Sequence, residues 1–144
     1  MSSRDSAQHS VSVSAAVVAP DGRVLVVRRR DNGQWEPPGG VLELEETIQD
    51  GLRREVLEET GLLVEPVALT GVYKNMTQHI VALVFRATVV EGVPRPTDEA
   101  TDVRWMTPDE VREHVAEAFA IRLIEAVDGQ PLALHSHDGV SLLD

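Results

Sequence analysis

The chain has 144 residues, 42% of them hydrophobic, and a formal net charge of −11. That is enough length for one domain with its own core, and the acid excess argues against nucleic-acid polymers and anionic membranes as partners. Cysteine is absent, which excludes disulfides and thiolate chemistry, and no apolar run approaches the ~20 residues of a membrane span.

The opening "MSSRDSAQHS" lacks the apolar stretch of a secretory signal, so the expectation is a cytoplasmic protein, monomer or homodimer. Residues 1–10 and 131–144 are polar or irregular and read as tails around a domain over 11–130. "VSVSAAVVA", "PDG" and "RVLVVRR" read as two strands around a turn, over 11–18 and 23–29. "DNGQWEPPGG" is dense in turn formers and reads as loop. A helix is expected over 47–60, capped by Thr47 with Asp50 three residues on, and ended by Gly61. "LLVEPVALTGVYKN" is extended in character, with Pro66 bending it or placing it at an edge. "HIVALVFRATVV", spanning 79–90, is nearly all apolar, as for a strand buried on both faces. After the loop "EGVPRPTDE" come a short strand, "ATDVRW", and a helix opened by Thr107 and Pro108, running with a break to about Val127. Trp105 is expected in the core. Strands with one central and one late helix predict a mixed β-sheet covered on both faces, an α/β class fold.

Residues 36 to 59 hold eight of the 24 Asp and Glu residues, a third of the acid in a sixth of the chain. Glu55, Glu58 and Glu59 stand at i, i+3 and i+4 of the expected helix, where like charges repel. Solvation, a basic partner or bound cations could each account for them. Ile48, Leu52 and Val56 form a neighbouring apolar stripe that would anchor the helix. Clustered carboxylates suit hard, oxygen-binding cations, magnesium or manganese, and Gly39 and Gly40 let the backbone pass close to the site. Arg54, one turn before Glu58, can pair with it.

Gly40 is followed by five residues and Glu46, then seven more lead to Arg54-Glu55-Val56, any residue, Glu58-Glu59, any residue, Gly61-Leu62. At ~6% usage per residue, seven fixed positions match by chance on the order of once in 10⁸ trials or rarer. The pattern resembles the signature of the Nudix hydrolases (the MutT-like family) at every defined position. "GQWEPPGG" before it and "RWMTPDEV" after it extend the resemblance over most of residues 11 to 120. The resemblance implies an α/β/α sandwich and cleavage, with magnesium or manganese, of the diphosphate bond of a nucleoside diphosphate linked to another group. It implies Glu58 and Glu59 as ligands, the Gly39 carbonyl assisting, Glu55 as ligand or general base, and Glu46 as support or as a ligand through water. Glu45 departs from the frequent glycine there, and Gly51 from a frequent alanine.

Outside the box, Arg29 aligns with a position that contacts substrate phosphate in some relatives, and Trp35 could stack a base. Glu99 stands six residues before Trp105, a spacing at which some relatives carry a ligand or general base. His135 and His137 share one face if "HSHD" is extended, with no further ligand evident. The markers of the ADP-ribose, nicotinamide-dinucleotide and diadenosine polyphosphate subfamilies are missing, or, for Tyr73, displaced. Nucleoside triphosphates are therefore favoured, with ADP-ribose or nucleotide sugars as the alternative. A non-catalytic nucleotide sensor is the further one, set against the retention of every carboxylate.

Overall fold

The computed structural model describes residues 7–129 and 131–144. Thr47, in extended backbone, accepts from the Asp50 N–H and opens helix α1, Ile48–Thr60; Gly61 closes it at φ 78°, a left-handed conformation suited to glycine. Leu52 and Val56 are fully buried, but Ile48, in the first turn, is 37% exposed and does not complete the expected stripe.

Two sheets lie behind this helix. The larger contains β1 (Ser10–Val17), β4 (Gly39–Val41), β5 (Leu63–Asn75), β6 (Ile80–Glu91) and β8 (Ala133–His137), in the order β4-β1-β6-β5-β8. It is mixed: β1 runs parallel to β6 and β8 parallel to β5, while the other pairs are antiparallel. The smaller sheet is antiparallel, β3 (Trp35–Glu36), β2 (Val24–Arg29) and β7 (Ala100–Met106). The first two strands flank a turn as expected, yet they enter different sheets, joined at the bridge Val18–Val24. The turn-rich segment 31–40 is not all loop, since β3 and the start of β4 lie in it.

Val13, Ala15 and Val17 of β1 face α1, whereas Ala16 faces the other side, where Val111 of α2 (Pro108–His114) and Leu123 of α3 (Glu117–Asp128) close a second core. The period-two alternation of a strand thus divides its apolar residues between two helical layers, giving the α/β/α sandwich. Thr107 and Glu110 form a reciprocal cap on α2, and the chain breaks at Val115–Ala116 before α3. Around Pro66 the ladder of β5 is irregular, and this part of β5 lies beyond the reach of β8. Strand β6 is not buried on both faces: only Ala82, Val84 and Ala87 are, and its last four residues are exposed. Trp105, expected in the core, is half-buried and packs against the core beneath α1.

The N-terminal tail expected over residues 1–10 falls largely on residues 1–6, outside those described, and Ser10 already belongs to β1. The tail expected over 131–144 is corrected outright, because β8 lies within it. His135 of β8 sits between carboxylates, with Nε2 3.1 Å from Glu125 and Nδ1 3.3 Å from Asp144, and it stacks on Tyr73, whose hydroxyl donates to Glu125 at 2.8 Å. The Glu125 bond, and then Asp144, raise the His135 pKa. A raised folded-state pKa stabilises the fold fully below the unfolded value of 6.5 and is lost as pH climbs through the folded value. The melting-temperature gap between wild type and His135→Gln is accordingly expected to be widest below pH 6.5 and to close in more alkaline buffer. A pH-independent gap would remove the ion pairs from the account.

Candidate active site

Residues 55 and 59 lie one turn apart on α1, both facing the edge strand β4. A Cβ built on Gly40 would lie 2.5 Å from Glu55 Oε2, so the helix carboxylate occupies the space a side chain there would need. At Gly39 an added Cβ would meet the backbone of β1, and the Gly39 N–H donates to Glu59 Oε1 at 2.9 Å. Glycine at both positions lets a strand and a pair of carboxylates share one surface. Gly40→Ala is expected to keep the fold and reduce turnover by about 10²-fold, the scale of an ångström-size misplacement in a catalytic site. Circular dichroism paired with a rate assay checks both halves.

Glu99 completes the arrangement from the loop before β7. One carboxylate oxygen each from Glu55, Glu59 and Glu99 lie within 4.8 Å of one another. The loop is tied down rather than free: the Arg30 side chain donates to the carbonyls of Asp98 (2.8 Å) and Thr97 (3.2 Å), and Thr97 Oγ1 donates to the Glu59 carbonyl.

Burial, reinforced by Glu55 and Glu99, pushes Glu59 up to about 8 despite the opposing Gly39 N–H. Burial also raises Glu55, although Arg54 bonds it. Three converging oxygens, two of them on carboxyls whose charged forms burial disfavours, and of which, among the described residues, only that of Glu55 has a bonded cationic side chain, make a donor set that a hard divalent cation fits.

Glu58 lies apart from this cluster, its side chain 45% exposed and 3.3 Å from Arg54. Arg54 instead clasps Glu46 with two bonds, of 2.8 and 2.6 Å, and Glu55 with one of 2.8 Å. That clasp, with the Glu43 N–H, holds Glu46 down at about 2. Arg54 therefore braces Glu55 against the turn at 43–46 more than it pairs with Glu58. Glu45 is exposed, and a Cβ on Gly51 would meet Leu42 Cδ1 at 2.5 Å.

The three carboxylates border a cleft of about 1140 Å³, also lined by Arg29, Trp35, Glu36, Phe119 and Arg122. Arg29 is doubly bonded to Asp31 at 2.7 and 3.0 Å, and Arg104 stacks 5.2 Å from the Trp35 ring. Sequence reasoning missed Glu36 and Arg122. Arg122 had a usable signal, a single charge inside the apolar run Ala118–Ile124 of α3.

A NUDIX domain model matches residues 8–127. The chain belongs to the Nudix family. A MutT-like protein from Streptomyces ambofaciens is 58% identical over 135 residues, covering 94% of this chain and 88% of that one. An ADP-ribose pyrophosphatase from Methanocaldococcus jannaschii is 29% identical over 104 residues, 67% of this chain and 62% of that one. The crystal structure of an ADP-ribose pyrophosphatase from Streptococcus suis superposes with a TM-score of 0.77 at 19% identity, covering 88% of this chain and 99% of that one, which shows the fold. The protein is thus a Nudix hydrolase, and two of its three clustered glutamates, Glu55 and Glu59, lie on α1. No helix among the described residues is long and apolar enough to cross a membrane.

Proposed function

We propose that this Nudix hydrolase cleaves the diphosphate bond of a nucleoside diphosphate linked to another group, with nucleoside triphosphates as the favoured substrates. The observation that carries the reading is the convergence of Glu55, Glu59 and Glu99 on one point of a cleft large enough for a nucleotide. These three, with the Gly39 carbonyl of the adjoining strand, would hold magnesium or manganese, which when bound polarises phosphoryl oxygens and lowers the pKa of water. The chain's own work is positioning. The Gly39 N–H sets the rotamer of Glu59, and Arg54, braced on Glu46, sets that of Glu55. Glu99 reaches in from a loop fastened to the end of α1, where it can ligate or accept the proton of the attacking water. Glu58, exposed and outside the cluster, is left to proton transfer or to a further cation. Arg29 is offered to phosphate oxygens and Trp35 to a planar base, both from the lining of the same cleft.

ADP-ribose is the second reading, favoured by the relative of that activity. A phosphate-release screen with magnesium over nucleoside triphosphates, ADP-ribose, dinucleotides, nucleotide sugars and diadenosine polyphosphates tests both. Turnover of at least one class is expected, abolished by a chelator and restored by excess magnesium. Binding without turnover across the panel would replace hydrolysis with a sensing role, and turnover that survives chelation would overturn the metal-dependent reading.

A further inference from the structure

Arg122 on α3 is 5% exposed, its guanidinium carbon 4.6 Å from the centroid of Phe119 and 5.3 Å from that of Tyr73. Nε is buried without a hydrogen-bond partner, and among the described residues no carboxylate lies within 4.0 Å of the group. Its one polar contact among those residues is Nη2, 3.2 Å from His137 Nε2. The Gly139 N–H approaches the other nitrogen of that ring, Nδ1, at 2.9 Å. A backbone N–H only donates, so Nδ1 is the bare nitrogen and Nε2 carries the proton. Nη2 therefore faces a second donor, and among the described residues no acceptor pairs with the buried guanidinium. Burial lowers its pKa to about 10, which still leaves it charged at neutral pH.

Such a group is an arrangement that a ligand completes, because an unpaired buried donor loses its solvation with nothing in return. Arg122 borders the same cleft as the glutamate cluster. Glu36 is near enough to attract it but stays unbonded to it, and the rings of Trp35 and Phe119 line the cleft as well. Aromatic walls favour a planar ring over a phosphate, and a guanidinium asks that ring for an acceptor oxygen. Guanine and uracil carry ring carbonyls. Adenine carries none: its N7 accepts, but the neighbouring exocyclic amine would meet the guanidinium donor to donor where guanine presents a second acceptor, O6.

We propose that Arg122 is the specificity residue of the cleft, donating to a base carbonyl so that guanine or uracil nucleotides are preferred to adenine nucleotides. The proposal rests on the nucleotide reading above, and it counts against adenine substrates, ADP-ribose among them.

Calorimetric titration in magnesium with the α,β-methylene analogues of GTP, UTP and ATP, and with inorganic tripolyphosphate, tests it without turnover. Wild type is expected to bind the better of the guanosine and uridine analogues about ten-fold or more tighter than the adenosine analogue, the discrimination that one good base contact gives. Arg122→Met fills similar volume without donors and is expected to remove most of that ratio while leaving tripolyphosphate affinity in place. The proposal is overturned if wild type shows no such preference, a result that needs no variant to fold. It is overturned equally if the ratio survives in Arg122→Met, or if tripolyphosphate binding falls in step, which would make the contact one to phosphate. Hydrolysis of the parent triphosphates is followed in parallel. Its failure alone defeats the hydrolase reading, and the binding ratio still decides the role of Arg122.

Discussion

Glu59→Gln is expected to lower kcat by on the order of 10²–10³-fold, the loss that follows removal of one preorganised charge-stabilising group. The fold should not suffer with it. In the metal-free protein burial pushes Glu59 up to about 8, so near neutral pH the side chain is mostly a neutral acid, and glutamine reproduces its shape and its acceptor oxygen for the Gly39 N–H. The sign of the linkage makes the same point. A carboxyl whose folded pKa is raised destabilises the fold progressively as pH climbs from the unfolded value of 4.5 toward about 8, and the substitution removes that penalty. Thermal melts in chelator at pH 8 should therefore place Glu59→Gln at or above wild type, and added magnesium should raise the wild-type melting temperature more. Retention of full activity would remove Glu59 from the centre. A chelated variant that melts far below wild type would mean its charge is structural.

Glu99→Gln and Asp98→Asn remove the same charge from adjacent positions of one exposed loop, so their comparison separates chemistry from surface electrostatics. Glu99 lies in the carboxylate cluster, whereas Asp98 contributes its carbonyl to Arg30. Glu99→Gln is expected to depress kcat by about 10²-fold or more, the lower end of a general acid–base contribution, while Asp98→Asn stays close to wild type. Neither should shift the melting temperature much, because both positions are exposed. Parallel behaviour of the two variants would reduce Glu99 to surface charge.

Helix α1 was legible because its signals are local: a capping threonine, a glycine stop and buried Leu52 and Val56 at helical spacing. The metal-type centre was legible only in part. Successive helical residues turn by about 100°, so Glu58 and Glu59 diverge to either side of Glu55, and only Glu59 turns toward β4. Which member of such a strip faces the site depends on how the helix is rotated against its sheet, a tertiary fact. The separation of the first two strands into different sheets is of the same kind, because β6 and β7, some sixty residues or more downstream, decide it. Strand β8 escaped notice for a related reason. It joins β5 in parallel, with α3 beforehand, and no tight turn announces that pairing. Arg122 and Glu36 read as ordinary charges until the fold buries the first and half-buries the second.

The grip of Arg30 on the loop carrying Glu99 falls on main-chain carbonyls, not on the side chains of Thr97 or Asp98. A hold on the backbone is indifferent to side-chain identity. The loop can consequently be rewritten at position 98, next to the substrate cleft, without unseating its neighbour, which makes that position a natural choice for randomised libraries aimed at altered substrate range. A library that also varies position 30 would discard the fastening that lets the rest of the loop change.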